Sequence, residues 1–334
     1  MADILDPFDP RHFAGVRRPV AEAETPPAWV YTSQAFYERE VERIFRRGWC
    51  CVGRANDVTP EAPAFRELVG TRLAIRRTDA GTIAVTDEDG GAVRTGERGG
   101  FVFVNLDGEG ASLDTWLAGW GPFFDTYKLD DMVTVRRHEA DLAANWKLAT
   151  EVFIEEYHAP VVHTNTLYKR PLFMKPYDDS RGAYATVFGE HEGSRALIAG
   201  SGHQPFPPIA SLEGQAKAGT RWTVTYTGFC FVVTIDAMWY IECYPKGPGL
   251  TRYAWVNCFP RTTAARADYE RIAPGYYQRW DLAVAEDNVV LERQQRGLSS
   301  PFARPGRIQP RKEPIMAHLH AWVAERVVGN AGPA

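Results

Sequence analysis

The sequence predicts an α+β protein, and three observations predict it. Short runs alternating apolar and polar residues, bounded by Gly, Asp and Pro, fill 65–104 and then 183–259. A helical pattern with one apolar face lies between these two β-rich blocks, over 145–158. From about 264 the composition turns helical and stays so to a long C-terminal helix. At 334 residues the chain is long enough for two domains with cores of their own.

Taken in order, the residues up to about Tyr31 read as an arm. Prolines at 7, 10, 19, 26 and 27 allow no long helix there, and such arms usually wrap a neighbour or stay mobile. Ser33 reads as the N-cap of an amphipathic helix over 34–49, with Phe36, Tyr37, Val41, Ile44 and Phe45 on one side. The runs LAIRR, TIAV and FVFVN follow as strands, the first two joined by the turn Thr78-Asp79-Ala80-Gly81. Ser112 caps a short helix through Trp120, and 132–137 reads as a strand. Residues 164–177 are expected as loop. Four antiparallel strands are expected at 221–226, 229–233, 238–244 and 251–259. A helix over 264–297 should break near Pro274-Gly275, and a last helix covers 313–328.

Composition excludes several functions. Apolar residues make up 45% and charged residues 24%, ordinary for a globular protein. A net charge of −4 gives no electrostatic reason to expect nucleic acid. No apolar run approaches the roughly 20 residues of a membrane span. The opening MADILDPFDP is acidic and proline-rich, unlike a signal peptide. Five cysteines, an odd number, suggest no disulfide framework, so a reducing cytoplasm is the expected compartment.

The chemistry concentrates in NWKLATEVFIEEYHAPVVH, residues 145–163. Trp146, Ala149, Phe153 and Tyr157 share one helical face. Pro160 lacks an N–H and clashes with the preceding turn, so the helix is expected to stop with His158 at its end and His163 just beyond. Glu155 lies one turn before His158. Two histidines turned toward each other with a carboxylate alongside look like part of a metal site. On spacing alone, two polar residues at a helix terminus are the favoured reading, at about two to one over a metal site.

Asn-Trp-Lys followed by Glu-x-x-His-x-x-x-x-His resembles the iron-binding segment of Rieske non-haem iron oxygenase catalytic subunits, the aromatic-ring-hydroxylating dioxygenases and related mono-oxygenases. The resemblance implies that His158 and His163 are ligands of a mononuclear Fe(II). It makes Glu155 the catalytic acid that bridges toward a neighbouring subunit. Downstream, Glu286-Asp287-Asn288 with Gln295-Arg296-Gly297-Leu298 resembles the family's acid-plus-QRGL ending, which makes Asp287 the third ligand. Asp281 and Glu286 are the alternative carboxylates. The implied fold is an arm and helix over 1–48, a degenerate all-β Rieske-like domain over 49–135, and a helix-grip (START/SRPBCC-like) catalytic domain over 136–334. In the last, a curved antiparallel sheet is closed by a long C-terminal helix.

One departure from the family is informative. A Rieske [2Fe–2S] cluster needs two cysteines and two histidines. No cysteine lies between Cys51 and Cys230, and no histidine between His12 and His138. Adjacent Cys50 and Cys51 lack the ligand spacing. The chain is therefore expected to carry no cluster. A second departure is Val152, where the family commonly carries Asn, which removes a polar group near the iron face.

Tyr226, Phe229, Phe231, Met238, Trp239 and Tyr240 are candidate pocket residues, whose aromatic rings suit a planar ring or a quaternary ammonium group. The other histidines, His12, His138, His191, His203, His318 and His320, lack a partner at metal spacing. Glu151 and Glu156 read as solvated or subunit-contact residues. The expected function is a non-haem Fe(II) oxygenase subunit that uses O2 to hydroxylate or demethylate a small organic substrate, an aromatic acid or quaternary ammonium compound. Its electrons would come from a cluster-bearing Rieske oxygenase subunit or a Rieske-carrying reductase, in a trimeric or hexameric hetero-oligomer. The alternative is an inactive structural or ligand-binding partner of such a complex.

Overall fold

The computed structural model describes residues 6–164, 166–167, 173–174 and 182–329. Helix α1 (Gln34–Glu40) begins where Ser33 Oγ accepts the Phe36 N–H at 3.3 Å. It loosens into a π-turn over Val41–Phe45, whose closing bond runs from Arg46 N–H to Val41 C=O at 2.9 Å. The helix thus ends short of the expected Trp49. Strands β1 (Cys50–Arg54), β2 (Ala64–Leu68), β3 (Thr71–Arg77), β4 (Ile83–Thr86), β5 (Ala92–Arg98) and β6 (Phe101–Asn105) form one antiparallel sheet in the order β1-β6-β5-β4-β3-β2. The single helix expected after Ser112 is two, α2 (Leu113–Trp116) and α3 (Trp120–Phe124). Gly119 lies between them at φ +81°, a conformation open to glycine and closed to a continuing helix.

The second sheet starts with β7 (Met132–Leu142), eleven residues long where six were expected. After it come α4 (Trp146–Ile154), α5 (Ala159–Val162), β8 (Phe173–Met174), β9 (Tyr184–Glu190), β10 (Gly219–Thr225), β11 (Phe229–Val233), β12 (Met238–Gly247), β13 (Leu250–Pro260), α6 (Arg261–Ala264), α7 (Tyr269–Leu298) and α8 (Pro314–Val328). The sheet order is β7-β13-β12-β11-β10-β9-β8, antiparallel throughout. All four expected strands are present. Most of the loop expected over 164–177 lies outside the described residues. The break expected at Pro274-Gly275 does not occur, because Pro274 sits in the second turn of α7, on its exposed side, where one lost backbone bond is tolerated. Gly275 is needed there for space: a Cβ would lie 2.7 Å from His203 Cγ. Among the described residues no helix is long and apolar enough to cross a membrane.

The sheets meet through aromatic rings. Phe101 of β6 contacts Phe229 at 4.7 Å, Phe231 at 5.7 Å and Tyr240 at 5.3 Å. Alternation then sends the neighbouring residues of β11 and β12 to the opposite face, under α4 and α7. The N-terminal arm packs on its own chain, contrary to the expectation that it wraps a neighbour or stays mobile. Phe13, Val16, Ala23, Val30 and Tyr31 are buried, and Thr25 N–H and Ile308 N–H bond the carbonyls of Gly306 and Ala23 at 2.8 and 3.0 Å.

The Asn-Trp-Lys motif joins these parts. Asn145 Oδ1 caps α4 through the Lys147 N–H at 3.0 Å, while its Nδ2 donates to Pro248 C=O at 2.7 Å. Trp146 Nε1 and Lys147 Nζ both donate to the Glu40 carboxylate, at 3.1 and 2.6 Å. Glu40 and Lys147 are fully buried. Burial, opposed by Lys147, leaves the Glu40 carboxyl above its usual range, and burial likewise lowers the Lys147 ammonium. Removing one partner strands the other's charge. Lys147→Met should therefore cost about 3–5 kcal/mol, and adding Glu40→Leu should restore most of it. Urea denaturation of the single and double variants checks this. Equal stability of Lys147→Met and wild type would show that the pair carries no such penalty.

Candidate metal centre

Helix α4 stops four residues before His158, earlier than expected and for a different reason than Pro160. Glu155 turns extended (φ −116°, ψ 157°), and its carboxylate accepts the backbone N–H groups of Tyr157 and, at 3.0 Å, His158. A side chain that takes over free N–H groups competes with helix continuation and starts the next turn. That turn is α5, with Pro160 in its first positions. His158 and His163 are therefore the residues flanking one short helical turn, and their Nε2 atoms lie 3.3 Å apart. Tyr157, expected on the apolar face of α4, is 59% exposed.

Helix α7 brings the carboxylate. Asp287 Oδ1 lies 3.1 Å from His163 Nε2 and 3.6 Å from His158 Nε2. Three ligands at about 2.1 Å from one ion, at right angles, would be about 3.0 Å apart. Asp287 Oδ1 is buried and has no hydrogen-bond donor among the described residues, which suits an atom reserved for a cation. The outer ring nitrogens are also engaged. His158 Nδ1 contacts Glu155 Oε1, and His163 Nδ1 lies 2.7 Å from Glu286 Oε2, which also accepts from Thr166 Oγ1 at 2.7 Å. Each imidazole is thus held with Nε2 free to face the common point. Burial disfavours a proton on His163, yet the neighbouring carboxylates of Asp287 and Glu286 outweigh burial and raise its pKa. Among the described residues, His158, His163 and Asp287 are the one group of this kind. Glu286 supports His163 instead of joining the triangle. Asp281 is turned away, in a two-pronged pair with Arg136 at 2.7 and 2.9 Å.

The triangle opens into a cavity of about 740 Å³. Of the six residues proposed from sequence, only Trp239 lines it. Phe229, Phe231 and Tyr240 occupy the opposite face against Phe101, Met238 falls on that same face by alternation, and Tyr226 packs on Trp322 of α8 at 5.3 Å. The row Val187–Trp222–Val232–Trp239 crosses four strands as direct neighbours and forms the cavity floor. Reading the hairpins in register, from the turns outward, would have found Trp222 and Val232. Val152, Phe153 and Trp280 add helix-borne walls, and Arg195 and Arg279 also line the cavity.

The remaining polar candidates resolve without a metal. Glu151 is buried, not solvated, and accepts from His320 Nε2 and Tyr31 OH, each at 2.8 Å. His138 stacks on Trp255 at 5.3 Å, and His191 bonds Thr220 at 2.7 Å. Glu156 lines the cavity. All five cysteines are free and buried.

Fold and cluster together define a mixed helix–sheet protein with antiparallel sheets and a candidate two-histidine, one-carboxylate metal face. The family described as ring hydroxylating alpha subunit (catalytic domain) matches residues 129–329, and the chain belongs to it. It is an oxidoreductase of the Rieske oxygenase kind. Choline monooxygenase of Spinacia oleracea, a chloroplast protein, is 22% identical over 382 residues, covering 96% of this chain and 81% of that protein. The carnitine monooxygenase oxygenase subunit of Escherichia coli K12 is 23% identical over 197 residues, 42% of this chain and 53% of that one. Among solved structures, the quaternary ammonium Rieske monooxygenase CntA with L-carnitine shares the fold at TM-score 0.73 and 18% identity, over 93% of this chain and 97% of that chain. A naphthalene 1,2-dioxygenase from Rhodococcus follows at TM-score 0.70 and 13% identity, over 92% and 95%. With chloroplast proteins among the relatives, family membership does not by itself assign a cytoplasmic location.

Replacing His158, His163 or Asp287 by Ala should abolish stoichiometric iron binding and leave the fold intact. Glu286→Gln should retain iron with about 10–100-fold lower affinity, and Asp281→Asn should bind it as wild type does. Iron titration with metal analysis of each variant decides. Full iron content in Asp287→Ala would mean that another carboxylate serves.

Proposed function

We propose that the chain is a mononuclear Fe(II) oxygenase component that hydroxylates or demethylates a small quaternary ammonium compound, with electrons from a Rieske cluster on another chain. The observation that carries this is the triangle of His158 Nε2, His163 Nε2 and Asp287 Oδ1, open to an aromatic-walled cavity. Iron held there would supply the oxidising power by binding and reducing dioxygen. The chain's own residues do the remainder. Glu155 and Glu286 accept the Nδ1 protons and so hold both imidazoles in the ligating tautomer. Trp222, Trp239, Trp280 and Phe153 exclude water, and aromatic faces suit an alkylated ammonium through cation–π attraction. The named substrates of the choline and carnitine monooxygenases support that class.

The proposed electron source rests on the sequence. Residues 49–135 carry neither cysteine pair nor histidine beyond Cys50 and Cys51, so this β domain is read as a Rieske-like fold without its cluster. Residues 136–334 are read as the helix-grip catalytic domain, α7 lying over the sheet. Each iron then needs a cluster-bearing neighbour, in a hetero-oligomer or by docking of a Rieske-carrying reductase. Glu155 is the residue proposed to relay between that neighbour and His158. A reducing cytoplasm fits five free thiols.

Purified anaerobically with iron, the chain should hold about one Fe, no acid-labile sulfide and no visible [2Fe–2S] bands. Acid-labile sulfide in the isolated chain would refute the cluster-free reading, and absence of tight iron would favour an inactive partner subunit. Glu155→Gln, which keeps the side-chain shape, should retain iron yet slow its reduction by the cluster-bearing partner at least about tenfold. Stopped-flow reduction at the wild-type rate would remove Glu155 from the electron path.

A further inference from the structure

The cavity contains a cation that the metal site does not use. Arg279 lies on α7 two turns before Asp287, and both line the cavity. Its guanidinium carbon sits 4.7 Å above the ring of Trp239, which in turn lies against Trp280 at 5.2 Å. Cation–π contact satisfies one face of the guanidinium. Its in-plane N–H donors make no hydrogen bond or ion pair with any described residue. Arg195 lines the same cavity, close enough that its charge works against that of Arg279. Burial, with Arg195, lowers the Arg279 pKa to about 10, opposed by Asp287, so the group stays cationic at neutral pH. Asp287, the acid that opposes this shift, belongs to the triangle with His158 and His163.

A guanidinium with unused donors in an apolar-walled cavity fits an anionic ligand at its Arg279 end. A planar fork with unused parallel donors fits a carboxylate, which can take two N–H bonds at once. A ligand with only a positive charge would meet repulsion at this end. The face of Trp239 is already covered by Arg279, which leaves Trp222, Trp280 and Phe153 as the walls for an ammonium or apolar part.

We propose that Arg279 is the carboxylate-binding residue of the cavity, so that the substrate is a small organic acid. A quaternary ammonium substrate would then be a zwitterion, its carboxylate on Arg279 and its reacting end toward His158, His163 and Asp287. The inference rests on the reading of this cavity as the oxygenase's substrate site. Arg279 stands about 12 Å before Asp287 along the helix axis, so the acid group and the reacting atom lie several bonds apart.

The test is binding, measured by calorimetry and tryptophan fluorescence on the full chain, whose iron content is determined separately. The probes are short and medium-length monocarboxylates, with and without a terminal trimethylammonium group, each paired with its primary amide, plus choline. At least one acid should bind about tenfold or more tightly than its amide. Arg279→Gln should bring that acid down to its amide's affinity and leave the amide unchanged, as a double-mutant cycle requires. Arg279→Lys should recover part of the loss, and it stands in if the Gln variant does not fold. The proposal is overturned if no acid of the panel binds better than its amide, if choline outbinds every acid, or if Arg279→Gln binds the acid as wild type does. Acid binding through Arg279 in a chain that takes no iron would keep this inference and sink the oxygenase reading. Iron with partner-driven turnover and indifference to the carboxylate would do the reverse.

Discussion

The whole site depends on two helices from distant parts of the chain being held in one register. Helices α4 and α7 are tied at Gln295, whose Oε1 accepts the Asn145 N–H at 2.9 Å and whose Nε2 donates to Tyr31 C=O at 3.0 Å. One side chain thus fixes the start of α4, the N-terminal segment and the last turns of α7. Asp287 stands eight residues before Gln295 on the same rod, so the distance from its carboxylate to the two imidazoles is set by this clamp. Asn145 reinforces it from the other side by capping α4 and holding Pro248. The amide is half-buried with both ends bonded, and an aliphatic substitute would leave a backbone N–H and a carbonyl unpaired.

Electrostatics explains why the cluster wants a cation. Three carboxylates, Glu155, Glu286 and Asp287, surround two imidazoles within a few ångströms. Two of them are spent orienting the rings, and the third aims an unshared oxygen at the point the rings also face. Such crowding of like charge is costly unless protons or a metal intervene. Neutral imidazole with carboxylate is a donor set that suits divalent iron, the metal proposed above.

Much of this was legible in the sequence, and the failures have physical causes. The residues 145–163 motif and Asp287 come together as expected, because spacing within a motif survives errors in the local structure. That local structure was misread: Glu155 and not Pro160 ends α4, since a carboxylate bidding for backbone N–H groups leaves no signature in periodicity. The strands of the second sheet were readable from alternation, but their facing was not. Phe229 and Phe231 look like pocket residues until Phe101 supplies a competing apolar partner on the other side. Glu151 looks solvated in a one-dimensional reading, and only the fold reveals His320 opposite it. Arg279 carries no motif and was invisible for the same reason.

The packing of the arm has a consequence for biosynthesis. Thr25 pairs with Gly306, 281 residues later, and Phe13, Trp29 and Phe36 form an aromatic cluster at that end of the molecule. At about 5–20 residues per second, a ribosome needs roughly 15–60 s to make the segment between them. Throughout that interval the first sheet can already pair, since its strands are neighbours in sequence. The arm cannot close, because its hydrogen-bond partners do not yet exist. The nascent chain therefore spends most of its synthesis with an apolar N-terminal segment uncovered, a natural target for chaperones that hold emerging chains.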